Sequence, residues 1–375
     1  MKKLLAMVLA LVMTLSLAVV GSNAAFKDAE KVNETYAEAV DVLAGMKVFQ
    51  GYTDGSFQPE GSITRAEVAT IIYRIYTADV AKNDKSGLYA TYNKFSDMAG
   101  AGWAQGYIGY CANASLVKGY PDGTFKPSGK VTGYEVLAMI LRAVGYDKNN
   151  EFSGADWALH VAQTAQQLGV LDNVAKTTDL NAPASRELVA ELLFQGIQKA
   201  QVTYTPAFGY VTDKVLKLDE STLGYKNFKL VGKADADSFG RPATKWTYNV
   251  GDKSTLIVDK PVVSYTTKVD ECDIAKDLGI ATTKDLEGAY IDGYSYAKNL
   301  TSELVSSNRY ASINPLATKS FVGAQGRLTE VYDMGSAGYR FVEINTYLAK
   351  VTKVTAASTD RNGHVTDATV DLKVY

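Results

Sequence analysis

Cysteine and histidine are scarce in this chain, which has only two of each among 375 residues. A disulfide-rich scaffold and a site built from several imidazole or thiolate ligands are therefore excluded. His160 and His364 stand in no metal-binding spacing such as HExxH, so we expect each to pack or to face solvent. We predict no metal ion and no other cofactor. No GxSxG elbow or phosphate-binding loop occurs, and we predict no catalytic residue.

The two cysteines could in principle form one disulfide. Cys111 occupies a core position of a predicted helix, where a free thiol behaves as a small apolar side chain. Cys272 lies in an acidic stretch of a segment that we assign to a different domain. We expect a buried thiol at Cys111.

An excess of charge of either sign is lacking as well. Lysine plus arginine total 39 and aspartate plus glutamate total 41, which gives a formal net charge of -2. Such a balance provides no overall attraction for nucleic acid or for an anionic membrane. Any recognition driven by charge must be local.

Long apolar runs are confined to the N-terminus. Residues 1–24 combine Lys2 and Lys3, an apolar run over Leu4–Val20 and small residues before Ala24, which predicts a signal peptide. The run is shorter than the roughly 20 apolar residues of a membrane-spanning helix. We expect an exported protein without a membrane span in its mature form.

A repeat is the most informative feature of the sequence. Residues 51–67, GYTDGSFQPEGSITRAE, recur at 119–135 as GYPDGTFKPSGKVTGYE, with a constant shift of 68. Each copy follows a Phe-x-Asp triplet, at Phe26–Asp28 and Phe95–Asp97. A third copy, without the glycine-rich turn, ends in the helix-like segment Ala184–Ile197.

Apolar residues at three- and four-residue spacing predict a helix before and after each turn. Three such units can close a shared core, as repeat domains do. We place the repeats at residues 25–82, 93–147 and 151–200. The predicted core positions of the first two repeats are Tyr36, Val40, Leu43, Ala44, Val68, Ile71, Ile72 and Ile75, then Trp103, Tyr107, Ile108, Cys111, Val136, Met139, Ile140 and Ala143.

Two different tasks are combined in the ITRAE segment. Thr64 and Glu67 have the spacing of a capping box, which satisfies amides at a helix start. Arg65 is not needed for capping, and a cation in the first helical turn opposes the helix dipole. The second copy keeps the box but has Gly133, whereas Arg186 of the third copy has no Glu at the box position. Arg65 therefore suits an anionic ligand such as a carboxylate, with a salt bridge to a neighbouring unit as the alternative.

Phe-x-Asp, the first-helix aromatic residue, GYPDGTFKP and ITRAE together resemble the S-layer homology domain over residues 26–200. That resemblance implies three tandem copies arranged as a mainly helical, three-pronged spindle. It also implies grooves that bind a secondary cell-wall polysaccharide carrying pyruvate ketals. Thr64, Arg65 and Glu67 would then line one groove, with Tyr52 and Asp54 in its turn. The neighbouring groove would be formed by Trp103, Tyr120 and Asp122. Because Gly133 and the third turn depart from the family pattern, we expect one competent site and a second that uses Arg186.

Residues 201–375 have a different pattern of apolar residues. Alternating apolar residues in KWTYNV, TLIVD and PVVSYTTKV predict strands, and a short helix is expected within YIDGYSYAKNLTSELV. Two strand-like segments flank Asp360–Gly363, which predicts a hairpin. We expect an α+β multidomain protein whose helical repeats are followed by β-sandwich-like modules, in a chain that is a fragment of something longer.

The leading hypothesis is an exported surface-layer protein of a Gram-positive cell wall, which assembles with other subunits. One alternative is a wall-anchored enzyme or adhesin whose active part is C-terminal, since a carboxylate pair for glycoside hydrolysis in residues 201–375 stays open. Another is a repeat module for a protein partner, with Arg65 in a salt bridge.

Overall fold

The computed structural model describes residues 26–81, 84–92, 94–212, 221–266, 269–272, 286–296, 320–322, 326–346, 349–355, 358–359, 365–366 and 369–374. The predicted signal peptide, the turn Asp360–Gly363 and His364 lie outside these residues. The chain forms two compact units. Of the described residues, one unit contains those up to Ala234 and Thr244–Ile257, and the other contains Asp235–Ala243 and those from Val258 onward. Helices dominate the N-terminal region and sheets the C-terminal region, so the predicted α+β class is confirmed.

Three pairs of helices build the first unit. Their bounds are α1 Ala37–Gly45 and α2 Arg65–Thr77, α3 Gln105–Asn113 and α4 Gly133–Val144, and α5 Trp157–Gln167 and α6 Arg186–Ile197, followed by a short α7, Leu223–Phe228. The second helix of each pair is capped by Thr64, Thr132 or Ser185, whose side-chain oxygen accepts from a first-turn amide. Both predicted capping boxes are confirmed.

The core of this unit follows the predicted helix faces. Val68, Ile72 and Ile140 are fully buried, and the predicted buried thiol of Cys111 is confirmed. Burial raises the pKa of that thiol. Trp103 is the exception: it lies in the 3-10 segment Met98–Ala104 before α3 and is 64% exposed. Its predicted place in the core is therefore wrong, because the α-helical period begins only after it.

The Phe-x-Asp triplets hold the glycine-rich turns. Asp28 accepts hydrogen bonds from the amides of Phe57 (2.7 Å) and Gln58 (2.9 Å). Asp97 does the same for the corresponding residues of the second copy, Phe125 and Lys126. Each triplet thus satisfies two loop amides with one carboxylate, which explains why Phe-x-Asp and the turn recur together.

Backbone hydrogen bonds join the three capped segments in a closed ring. The amide of Arg65 donates to Gly129 O (2.9 Å), that of Arg186 donates to Gly61 O (2.9 Å), and that of Tyr134 donates to Leu180 O (3.2 Å). The segment of each helical pair therefore bonds to that of the next pair, and the third bonds back to the first.

Strands follow the helices. A hairpin pairs β1 (Val202–Thr205) with β2 (Gly209–Thr212), and β3 (Val231–Ala236), β4 (Pro242–Thr247) and β5 (Ser254–Val258) form a three-stranded sheet. Trp246 packs edge-on against Phe194 at 5.2 Å, and its indole N–H donates to Glu38 Oε1 (2.7 Å). This segment therefore completes the core of the helical unit.

The second unit is built mainly from strands. Their bounds are β6 Val263–Tyr265, β7 Val269–Cys272, β8 Leu286–Ile291, β9 Tyr294–Tyr296, β10 Ser320–Val322, β11 Arg327–Asp333, β12 Tyr339–Asn345, β13 Ala349–Thr355, β14 Ser358–Thr359, β15 Val365–Thr366 and β16 Thr369–Val374. Five of them form a mixed sheet in the order β6-β11-β12-β8-β9. Strands β8 and β12 are parallel, and the other neighbouring pairs of this sheet are antiparallel.

Two predictions for this region have different outcomes. Strands β13 and β16 pair antiparallel and β14 pairs with β15, which confirms the C-terminal hairpin. The described part of YIDGYSYAKNLTSELV, residues 290–296, belongs to the hairpin of β8 and β9, so the helix predicted there is wrong over those residues. Its Asp292-Gly293 pair, with φ of 51° and 85°, turns the chain sharply between the strands.

Candidate functional site

Two grooves of the first unit contain most of the predicted site residues. Groove A has a volume of about 450 Å³ and is lined by Arg65, Tyr120, Glu135, Arg142 and Trp157. All three helical pairs contribute, because Arg65 begins α2, Glu135 and Arg142 lie on α4, and Trp157 begins α5. The groove therefore exists only when the pairs pack together.

Arg65 lies at the base of groove A and is only 3% exposed. Its Nε donates to Phe125 O (2.8 Å), its Nη2 donates to Lys118 O (3.1 Å), and its Nη1 lies 3.0 Å from Glu135 Oε1. The guanidinium also stacks over the Tyr120 ring at 4.6 Å. The salt bridge to a neighbouring repeat is therefore present, and Arg65 joins the first repeat to the second; its role toward a ligand stays a prediction.

Tyr120 and Glu135 form the polar wall of groove A. The hydroxyl of Tyr120 donates to Glu135 Oε1 (2.6 Å). Burial, with this bond, raises the pKa of Tyr120 to about 12, so the phenol keeps its proton near neutral pH. The other carboxylate oxygen of Glu135 accepts from the Thr132 amide in the capping box.

The second cation of groove A is held by a loop. Arg142 Nε donates to Asp147 Oδ2 (2.6 Å), and Lys118 Nζ donates to the same atom (2.7 Å). Burial alone would raise the pKa of Asp147. The bonds from Lys118, the Phe152 amide and Arg142 outweigh burial and keep this pKa below its ordinary value. Asp147 therefore stays ionised and fixes both cations.

Groove B repeats this arrangement one pair of helices away. It has a volume of about 150 Å³ and is lined by Arg186, Tyr52, Glu67, Arg74 and Trp103. Several of its lining positions are related to those of groove A by the shift of 68, among them Gln50 to Lys118, Gly51 to Gly119, Tyr52 to Tyr120, Glu67 to Glu135 and Arg74 to Arg142.

Arg186 takes the place of Arg65 in groove B. It is also 3% exposed, and it donates to Phe57 O (2.7 Å) and Gln50 O (3.0 Å). Its guanidinium stacks over the Tyr52 ring at 4.4 Å. The distance from its Nη1 to Glu67 Oε1 is 3.8 Å, so this ion pair is looser than that of Arg65.

Arg74 differs from its counterpart Arg142. It donates to Val48 O and to Gln50 Oε1, each at 3.3 Å. Within the part of the chain that the structure describes, its buried Nε has no hydrogen-bond partner. Because this atom is enclosed by protein, it is an unsatisfied buried donor and not a contact that groove B offers to a ligand.

The second helical pair has Gly133 at the position of Arg65 and Arg186, and it has no arginine groove there. A Cβ on Gly133 would lie 2.6 Å from Leu180 Cδ2, so Leu180 occupies the space that the side chains of Arg65 and Arg186 take in the other two helical pairs. Leu188 stands where the capping glutamate would be.

The structure groups the predicted site residues differently from the sequence analysis. Arg65 lies with Tyr120 in groove A, whereas Tyr52, Glu67, Trp103 and Arg186 lie in groove B. Three predicted residues are absent from both linings and make local contacts: Thr64 caps α2, Asp54 accepts from Ser56, and Asp122 accepts from Thr124.

Sequence reasoning missed Lys118, Glu135, Arg142, Arg74 and Trp157. Glu135, Arg142 and Arg74 could have been found from the shift of 68, because Glu135 repeats Glu67 and Arg142 repeats Arg74, whereas Lys118 has Gln50 at the matching position. Within the described ranges, no group of His, Cys, Asp and Glu is placed to hold a metal ion.

The S-layer homology domain matches two segments of the chain, residues 25–69 and 94–137. They cover the first two copies of the repeat and contribute Arg65, Tyr52, Tyr120 and Glu135 to the grooves.

Curated relatives point in the same direction. The chain is 27% identical over 238 residues to the surface layer protein of Brevibacillus choshinensis, covering 63% of this chain and 19% of that protein. It is 26% identical over 291 residues to the middle cell wall protein of Brevibacillus brevis, covering 76% and 26% respectively. It is 36% identical over 123 residues to the cellulosome-anchoring protein of Acetivibrio thermocellus, which covers 33% of this chain and 26% of that protein.

The chain thus spans between a fifth and about a quarter of the length of these relatives. The domain match and the relatives indicate a secreted protein at the cell wall. Among the described residues, every helix is too short or too polar to cross a membrane.

Proposed function

We propose that this chain anchors an exported surface protein noncovalently to the cell wall, by holding a secondary wall polysaccharide in grooves A and B. The observation that carries the proposal is the repetition of one set of side chains in both grooves. Each groove has a buried arginine under a tyrosine, a second arginine on the wall and a tryptophan at the rim.

This set suits an acidic sugar. A guanidinium binds a carboxylate through directed, charge-assisted hydrogen bonds, and an indole offers a flat apolar face to a sugar ring. A pyruvate ketal would supply the carboxylate.

We assign residues 151–200 to a third, degenerate repeat and the three helical pairs to a three-pronged spindle. The ring of backbone bonds from Arg65, Tyr134 and Arg186 supports this assignment, because each of the three pairs donates one such bond to another pair. Residues 201–375 would form an outward β-rich structural region that assembles with other copies. The surface layer and anchoring relatives support anchoring without an enzymatic role.

The test is sedimentation of the full chain with Gram-positive sacculi, either intact or chemically stripped of secondary polymer. We expect pelleting with intact walls only. Trp103→Ala and Trp157→Ala should each weaken binding, and the double variant should abolish most of it. Both positions lie at groove rims, so these substitutions leave the arginine contacts of the core in place.

Tyr294→Ala is the matched control, since Tyr294 is an aromatic residue of the second unit that is 74% exposed. It should bind as the parent chain does. Equal pelleting of intact and stripped walls, or unchanged binding by the double variant, would refute the proposal.

A further inference from the structure

The hairpin β1–β2 lies beyond the helical repeats, yet its Tyr210 contacts the loop that closes groove A. The Tyr210 hydroxyl donates to Glu151 Oε1 (2.8 Å) and accepts from the Lys148 amide (2.8 Å). Its ring packs against Tyr146 at 4.8 Å and against Tyr204 of the same hairpin at 5.3 Å. One side chain therefore bonds to both ends of residues 148–151.

Two residues of this loop have a left-handed backbone. Asp147 and Asn150 have φ of 65° and 60°, a conformation that Asp and Asn adopt more readily than other residues with a Cβ. Such a conformation persists when surrounding contacts hold it. The Phe152 amide, which donates to Asp147 Oδ1 (2.8 Å), provides one contact inside the loop, and Tyr210 provides contacts from outside it.

The same loop positions the cations of groove A. Asp147 bonds to both Arg142 and Lys118, and the residues that follow, Phe152 to Gly154, form part of the groove wall. A displaced loop would move the wall and release both cations together.

The hairpin is fitted closely to the end of α4. Gly145 has φ of 121°, and a Cβ there would lie 2.1 Å from Val202 O. Only glycine permits this approach, which brings β1 against the helix that carries Glu135 and Arg142.

We propose that Tyr210 is a positioning residue for groove A: it fixes the loop 147–154 and thereby sets the affinity of this groove for its acidic glycan. This inference rests on the function proposed above. It makes the hairpin part of the binding module, which then extends to Thr212 instead of ending with the third repeat. The loop bonded by Tyr210 continues into Phe152–Gly154, which line groove A and are not among the residues that line groove B. We therefore expect the effect at groove A.

The test uses the full chain and intact Gram-positive sacculi in two backgrounds. Trp103→Ala leaves groove A as the intact site, and Trp157→Ala leaves groove B. We expect Tyr210→Phe to weaken the apparent affinity about fivefold in the first background, because it removes two hydrogen bonds, one of them to a carboxylate. In the second background we expect no change.

Tyr204→Phe is the matched control, since it is the same substitution in the same hairpin at a ring that only stacks on Tyr210. Amide hydrogen exchange without ligand gives an independent readout: exchange at Lys148 and Phe152 should accelerate in Tyr210→Phe and not in Tyr204→Phe. Thermal unfolding identifies a variant that fails to fold.

Equal weakening in both backgrounds, or unchanged affinity and exchange, would overturn this inference while leaving the proposed function intact. If the chain without substitutions does not pellet with intact sacculi, the proposed function itself fails.

Discussion

Replacing Arg65 with methionine tests how the repeats are joined. The variant keeps an unbranched side chain over the Tyr120 ring and removes the guanidinium. It leaves the buried carbonyl oxygen of Phe125 and the partly buried one of Lys118 without the guanidinium donor. It also leaves Glu135, whose side chain is 14% exposed, without its cation.

These losses give the expected magnitude. Breaking a buried ion pair by removing one partner costs about 3–5 kcal/mol, and each orphaned carbonyl adds about 1 kcal/mol. Methionine recovers part of the packing, so we expect a net loss of about 4 kcal/mol in the free energy of unfolding. For a unit of this size that corresponds to a decrease in Tm of roughly 10 °C.

Arg186→Met is the matched comparison. Its ion pair to Glu67 is longer, at 3.8 Å, and Glu67 is 25% exposed, so the loss should be smaller by about 1–2 kcal/mol. Urea unfolding followed by circular dichroism measures both variants. The addition of Glu135→Gln to Arg65→Met should cost less than the sum of the single changes.

A loss below about 1 kcal/mol for Arg65→Met would refute the reasoning, because removing one partner of a buried ion pair is expected to cost several times as much. Equal losses at Arg65 and Arg186 would show that the difference in ion-pair length has no energetic meaning.

Two further predictions concern closed and buried positions. Gly133→Val should destabilise the chain by about 2 kcal/mol, since its Cβ meets Leu180 at 2.6 Å, and Leu180→Ala should recover part of this loss in thermal unfolding. Burial raises the pKa of Asp41 from 3.8 to about 7, so the folded state keeps a proton that the unfolded state loses. The contribution of Asp41 to stability should therefore fall as pH rises from about 4 to 7 and then level off. The difference in urea stability between the parent chain and Asp41→Asn should follow this pH dependence.

The predictions that held depend on residues close together in the chain. The capping boxes at Thr64 and Thr132 need only four consecutive residues, and the helix faces need one period. Both are therefore visible in the sequence. Trp103 shows the limit, because the local pattern does not indicate where α3 begins.

The grooves could not be assembled in the same way. Arg65 and Glu67 are two residues apart, yet they serve different grooves because adjacent positions on a helix point in different directions. Each groove takes side chains from three helical pairs, and this convergence depends on packing between repeats. The role of Tyr210 depends on a contact 59 residues distant in sequence, to Glu151.

The most direct test of the anchoring account uses the indole N–H signals of the three tryptophans in nitrogen-15 NMR spectra of the full chain. Secondary polymer released from Gram-positive sacculi would be titrated in. Trp103 and Trp157 line the grooves, whereas the Trp246 indole is bonded to Glu38 inside the unit and serves as an internal reference. The account predicts that the Trp103 and Trp157 signals shift with saturation while that of Trp246 stays in place. Unchanged Trp103 and Trp157 signals at saturating polymer would contradict it.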